Sequence, residues 1–219
     1  MQLYQGMSSQ FVDLVRENKV EYVLESGFKR QMGYAPSPSE VKSWRNSLRE
    51  MAYTLRDTQL DDAGMIVEFR LPQTSRRLDV MLMGEDSRGA HNAVIIELKQ
   101  WDTARATDID DTVAVGPVLH LHPSRQAGNY AQYLKDCHTA FYAAADNPSP
   151  IDLHACSFLH NARRDICGEL FGAQYSETLS EYPLFTGDKR AEFDKFLLEY
   201  LSGGHGDRLL GKVLQSKYR

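Results

Sequence analysis

The chain has 219 residues, 25 Lys+Arg against 30 Asp+Glu, a formal net charge of −5 and 42 % hydrophobic residues; a globular chain of this size buries about 70 % of its unfolded surface and needs no disulfide or metal staple to fold. It has no run of about 18 apolar residues, so no transmembrane helix is expected, and Met1-Gln2-Leu3-Tyr4-Gln5 lacks the basic and apolar regions of a secretory signal. Cys137, Cys156 and Cys167 form no CxxC pair, which argues against a disulfide scaffold or zinc knuckle and suits a reducing cytoplasm; the acidic balance argues against bulk electrostatic binding of nucleic acid but leaves a local basic groove open.

Phe11, Leu14, Val15, Tyr22 and Val23 recur at mostly helical spacing and predict a helix over about Ser9 to Glu25. Ser37-Pro38-Ser39-Glu40 is a capping box with proline at the first helical position. Val41, Trp44, Leu48, Met51 and Leu55 then give one apolar stripe, so this helix should run to about Arg56 with Arg45 and Arg49 on its outer face. Strands are predicted over Met65 to Leu71, Arg77 to Met83 and Ala93 to Lys99, the last two apolar on both faces. Such a sheet is covered by helices on both sides, which predicts an α/β domain.

Further along, Gly116-Pro117 separates two short apolar runs and predicts a hairpin over about 112–121. A long helix is expected from after Ser124 to near Asn147-Pro148, then a strand over Ala155 to Leu159, a loop, and helices over about 188–202 and 207–217 parted by Gly203-Gly204. We divide the chain into an N-terminal helical lead-in (1–36), a core (37–165) and C-terminal helices (166–219).

Three charged residues interrupt the apolar strands: Asp79, Glu97 and Lys99. Glu97 and Lys99 are two apart and share a face. An ionised carboxylate in an apolar strand costs several kcal/mol unless it is paired or ligates a metal. Two carboxylates can hold Mg²⁺ or Mn²⁺ with positions left for water and a substrate phosphate, while the lysine orients or deprotonates that water or stabilises developing charge. A structural carboxylate–lysine pair at a strand end explains the same residues more blandly. Gln126 and Tyr130, four apart, share a face of the downstream helix.

Asp79, Glu97-Leu98-Lys99 and Gln126-Ala127-Gly128-Asn129-Tyr130 together resemble the PD-(D/E)XK nuclease superfamily, in particular its RecB-like branch. The order of helix, three-strand meander, helix and fourth strand over 38–160 has the same pattern. The resemblance implies a restriction-endonuclease-like mixed sheet flanked by helices on both faces. It also implies a metal held by Asp79, Glu97 and the Leu98 carbonyl, with Lys99 acting on the attacking water and Gln126 and Tyr130 orienting the lysine or the scissile phosphate. Glu68 is the candidate for the family's first acidic residue and a further metal ligand, with Glu50 its rival. Leu78 stands where the superfamily name has proline.

The strings Val41 to Leu48, Val67 to Pro72, Ile95 to Trp101 and His122 to Ala127 are similar to the N-terminal region of a bacterial family in which a nuclease-like domain precedes a P-loop ATPase or helicase-like domain. The likeness implies that the chain is a piece or a stand-alone version of such a protein, with 214–219 approaching the ATPase. It implies a cytoplasmic, metal-dependent nuclease acting on nucleic acid, DNA first, in antiviral defence or DNA processing. It leaves room for a homo-oligomer and none for a membrane. The alternative is a catalytically silent nuclease fold that binds nucleic acid or docks a partner ATPase.

Among other candidates, His120-x-His122 with Cys156 or His160 is a weak zinc pattern. His122 is expected to position Gln126 or contact a phosphate. Arg76-Arg77 and Arg163-Arg164 are candidate phosphate contacts, and Trp44 and Trp101 are expected as core and strand-cap aromatics.

Overall fold

The computed structural model describes residues 2–145 and 147–218. The chain begins with β1 (Tyr4–Met7), α1 (Ser8–Arg16), α2 (Val20–Met32) and α3 (Pro38–Asp57). A meander of β2 (Gly64–Arg70), β3 (Arg77–Glu85) and β4 (His91–Lys99) follows, then a three-stranded arm of β5 (Arg105–Ala106), β6 (Thr112–Val115) and β7 (Val118–Leu121). After it come α4 (Pro123–Cys137), β8 (Asp152–Leu159), α5 (Ser176–Glu181), β9 (Leu184–Thr186), α6 (Arg190–Leu201) and α7 (Gly206–Gln215).

The main sheet has the order β1-β2-β3-β4-β8-β9. Its first four strands are antiparallel and the last two join in parallel, so the sheet is mixed. Helices cover both faces. On one, Phe11, Leu24, Trp44, Leu48 and Phe193 pack on Val67, Val80, Val94 and Ile96. On the other, Ala127, Tyr130, Leu134, Leu209 and Val213 pack on Ile66, Met81 and Ile95. The two-faced apolar strands force this arrangement, because neither face can be left to water. α7 lies so close to the sheet that a Cβ on Gly206 would fall 2.0 Å from the Gly64 nitrogen.

α3 begins as the capping box requires: the Ser37 hydroxyl accepts from the Glu40 amide and the Glu40 carboxylate accepts from the Ser37 amide. Elsewhere the structure corrects the sequence reading. The helix expected over Ser9 to Glu25 is two helices, broken at Asn18, whose φ of +54° is one that asparagine tolerates better than most residues. The segment expected as a helical lead-in also supplies an edge strand to the main sheet.

The long helix expected to reach Asn147 stops at Cys137, despite the helix-forming alanines that follow. Tertiary contacts outweigh propensity there. His138 bridges Tyr218, the Thr139 amide donates to the Lys217 carbonyl, and the Asn147 side chain donates to the carbonyls of Thr139 and Tyr142. The loop expected after β8 contains α5 and β9. Of the C-terminal string 214–219, Arg219 lies outside the described residues.

Candidate active site

The site forms where β3 and β4 part. Their last paired residues are Val80 and Ile96. Beyond them the Asp79 carboxylate takes over from the backbone: its Oδ2 accepts the Leu98 amide at 2.7 Å. The N–H and C=O of one strand residue point to the same edge, so the Leu98 carbonyl opens into this gap too. On the far side of β3 the pairings Val67–Val80 and Phe69–Leu78 flank Glu68 and Asp79, and Glu68 has φ +55° inside a strand. A non-glycine residue held there costs on the order of 1–3 kcal/mol.

Side-chain alternation breaks at this point. Val67 and Val80 face α3, but so would Phe69 and Leu78 in a regular strand, and these belong to the opposite core. The break turns Glu68 and Asp79 towards a cavity of about 40 Å³ lined also by Ser43, Trp44, Ser47 and Leu98. That is room for roughly three or four waters, at 10–15 Å³ each.

Glu97 and Lys99 face the other way, towards α4. Lys99 Nζ lies 2.6 Å from Glu97 Oε1 and 3.1 Å from Gln126 Oε1. Gln126 Nε2 donates to Glu97 Oε1 at 2.7 Å and to the Tyr130 hydroxyl at 2.9 Å. The first turn of α4 delivers Gln126 because His122 caps the helix, its Nδ1 accepting the Ser124 amide. His122 is fully buried and its Nε2 lies 3.0 Å from the Leu170 carbonyl, so of its two expected roles it positions Gln126 and does not contact a phosphate. Trp101 stands beside the site, with Lys99 Nζ 5.3 Å from its ring centroid. Four of the expected residues, Glu97, Lys99, Gln126 and Tyr130, thus form one hydrogen-bonded group, and Asp79, bonded to the Leu98 amide, acts on Glu97 and Lys99 through its charge.

Glu68 belongs to a different network. Trp44 Nε1 donates to its Oε1 at 2.8 Å and Arg77 Nε meets its Oε2 at 2.5 Å. Arg77 also pairs with Glu40 at 2.9 Å, tying the site to the first turn of α3. Both Glu68 oxygens are therefore engaged, whereas Glu97 Oε2 is buried without a hydrogen-bond partner. Glu50 pairs with Arg190 on α6, away from the group. The Trp44–Glu68–Arg77–Glu40 network is not legible in the sequence, because Glu40 and Trp44, four apart on α3, meet Glu68 and Arg77 on two separate strands with no sequence spacing that links them. The other basic and aromatic candidates serve locally: Arg163 pairs with Asp165, the Arg164 guanidinium stacks on Phe171, and His160 Nε2 lies 3.1 Å from the Ser47 hydroxyl.

The electrostatics are those of a site with surplus negative charge. Burial, then repulsion from Asp79, pushes Glu97 up to about 8 and Glu68 up to about 8. Burial also raises Asp79, against the pull of Lys99 and the Leu98 amide. Burial disfavours the Lys99 ammonium, yet Glu97 and Asp79 together hold its pKa above the usual lysine value. With a 2.6 Å contact, Glu97 and Lys99 titrate as a pair rather than singly.

Asp79, Glu97 Oε2 and the Leu98 carbonyl are all hard oxygen donors, and one of them lacks a partner. This set suits Mg²⁺ or Mn²⁺, which keep several positions for water and phosphate oxygens. Among the described residues no group of three or more His, Cys, Asp or Glu side chains is gathered to hold a metal. A metal held here would take two carboxylates and a carbonyl as its protein donors. Among the described residues no helix is long and apolar enough to cross a membrane. Comparison with known proteins finds no matching family model, no matching curated protein and no matching solved structure.

Proposed function

We propose that the chain is a divalent-metal-dependent nuclease that hydrolyses phosphodiester bonds, in DNA first. The observation that carries this reading is the buried, unpartnered Glu97 Oε2, set beside Lys99 where β3 and β4 part around Asp79. Asp79, Glu97 and the Leu98 carbonyl would hold Mg²⁺ or Mn²⁺. When bound, the metal supplies a more acidic water and offsets charge gathering on the phosphate.

The remaining chemistry belongs to the chain. Lys99, held cationic by Glu97 and Asp79, orients the attacking water and stabilises negative charge on the phosphoryl oxygens rather than acting as a base. Gln126 holds Lys99 and Glu97 in register through one amide, and Tyr130 fixes the amide's orientation. Action beside a P-loop ATPase in antiviral defence or DNA processing, in the cytoplasm, rests on the sequence resemblance and is part of the same proposal.

Supercoiled plasmid, single-stranded circular DNA and labelled RNA, each incubated with Mg²⁺, Mn²⁺ or EDTA, test the reading. Metal-dependent cutting by the wild type that disappears in Asp79→Ala and Lys99→Ala is expected, and the circular substrates report endonuclease action. Cutting that survives both substitutions or survives EDTA would overturn it. A second reading, a nuclease-shaped domain that binds nucleic acid or an ATPase without cutting, is favoured by the lack of a three-ligand cluster among the described residues. It predicts metal-independent binding that Lys99→Ala leaves intact.

A further inference from the structure

We propose that the chain associates with a second copy of itself, the acidic tip of the β5–β7 arm of one copy seating in a basic-rimmed apolar groove between α1 and α3 of the other. This goes beyond the nuclease reading and does not depend on it.

The arm carries the first half of the argument. It is inserted between β4 and α4, and its tip reads Asp108-Ile109-Asp110. Ile109 is 56 % exposed. Asp108 and Asp110 are exposed on either side of it, while the next residue, Asp111, is committed to Arg125 at 2.9 Å. This leaves more than half of an aliphatic side chain in water between two carboxylates, which themselves repel a polyanion such as nucleic acid.

The groove is the complement. It encloses about 350 Å³ over a floor of Val12, Val15, Ala52 and Tyr53, and its rim carries Arg16, Arg49 and Arg56. Tyr53 is 43 % exposed. Arg49 donates to the amide oxygen of Asn18 rather than to a carboxylate. Arg16 and Arg56 pair with exposed near neighbours, Asp13 and Asp57, in contacts that exchange readily with other carboxylates, and Arg56 also lies over the Tyr53 ring at 5.3 Å. An aliphatic anchor flanked by two carboxylates matches an apolar floor flanked by guanidiniums.

Ile109 is exposed and does not line the groove of its own chain, so the proposed contact joins two copies. Nucleic acid would satisfy the guanidinium rim but leave the apolar floor uncovered. The contact joins two different patches, so it closes by mutual exchange of two arms or by a ring.

Sedimentation velocity on the full chain tests this, run at low and high salt up to about 0.5 mM, since so small a contact belongs to the weak, transient class. The wild type is expected to associate with rising concentration and to dissociate in salt. Arm reversal (Asp108→Lys with Asp110→Lys) and groove reversal (Arg49→Glu with Arg56→Glu) should each leave a folded monomer, because each puts like charges face to face. An equimolar mixture of the two should associate again, since both contacts become complementary, and that recovery excludes misfolding as the cause. Ile109→Ser should weaken association without changing its salt dependence. A wild type that stays monomeric throughout overturns the proposal, as does a mixture that fails to associate. A monomeric wild type whose binding to nucleic acid is lost on groove reversal assigns the groove to nucleic acid instead.

Discussion

Glu68 and Glu97 are both glutamates in apolar strands, on either side of β3, both buried, and both pushed up to about 8. They nevertheless differ in kind. On the α3 side, Glu68 gives one oxygen to Trp44 and the other to Arg77. On the α4 side, Glu97 gives Oε1 to Lys99 and Gln126 and leaves Oε2 with nothing. A buried carboxylate with both oxygens matched holds structure in place. One with an unmatched oxygen beside an amine is positioned to take a cation. Burial and pKa do not separate the two residues; only the count of partners does.

The largest expected effect falls on the α4 side and on Asp79, whose charge bears on both sides. If these residues do the chemistry, Lys99→Ala and Asp79→Ala should lower metal-dependent cleavage about 10³-fold, the scale of losing one charge-stabilising or proton-handling group. Glu68→Gln should stay within about tenfold of wild type, since it keeps a hydrogen-bonding oxygen for Trp44. Cleavage assays of the three variants break the comparison if Glu68→Gln falls as far as Lys99→Ala.

Stability should show the reverse order. Glu68→Ala strands the Trp44 N–H and half-buried Arg77, and should cost about 3 kcal/mol, the low end for breaking a buried ion pair. Glu97→Gln removes a charge that burial and Asp79 already disfavour, so without metal it should leave stability unchanged or raised. Urea unfolding of both variants measures the contrast.

The raised carboxylates also fix the sign of the pH dependence. Glu97 and Glu68 move from 4.5 unfolded to about 8 folded, so the folded state holds the extra protons in that window. Their favourable contribution is present below 4.5 and lost as pH rises through about 8. Melting temperature should therefore fall between pH 5 and 8.5. Mg²⁺ should restore more of it at pH 8.5 than at pH 6, where protons compete for the same oxygens. Glu97→Gln should flatten the pH trend and remove the Mg²⁺ response, and Glu68→Gln should flatten the trend alone.

The smallest effects come from two single hydrogen bonds. Tyr130→Phe removes the acceptor of one Gln126 N–H, which should cost about 1 kcal/mol or a few-fold in rate. Trp44→Phe removes one donor to Glu68 and should cost about 1–2 kcal/mol of stability while leaving the rate alone.

The sequence made one side of this comparison far more legible than the other. Glu97, Lys99, Gln126 and Tyr130 lie at strand and helix spacings, and residues two or four apart announce a shared face. The capping box of α3 and the three meander strands were equally plain, being local. Asp79 was recognisable as a charge in an apolar strand, but its bond to the Leu98 amide depends on how two strands part. The flip at Glu68 could not be read, since positive φ at a glutamate has no composition signal. The end of α4 at Cys137 was missed because residues from 138 onward are held by the distant C-terminal segment, a contact that local propensity cannot foresee.

The most direct test is a calorimetric titration of Mn²⁺ into the wild type, Glu97→Gln and Glu68→Gln at pH 8. The account predicts a saturable Mn²⁺ site in the wild type, kept in Glu68→Gln and lost in Glu97→Gln. No binding by the wild type, or equal loss in both variants, would contradict the assignment of the unmatched Glu97 oxygen as the centre of the site.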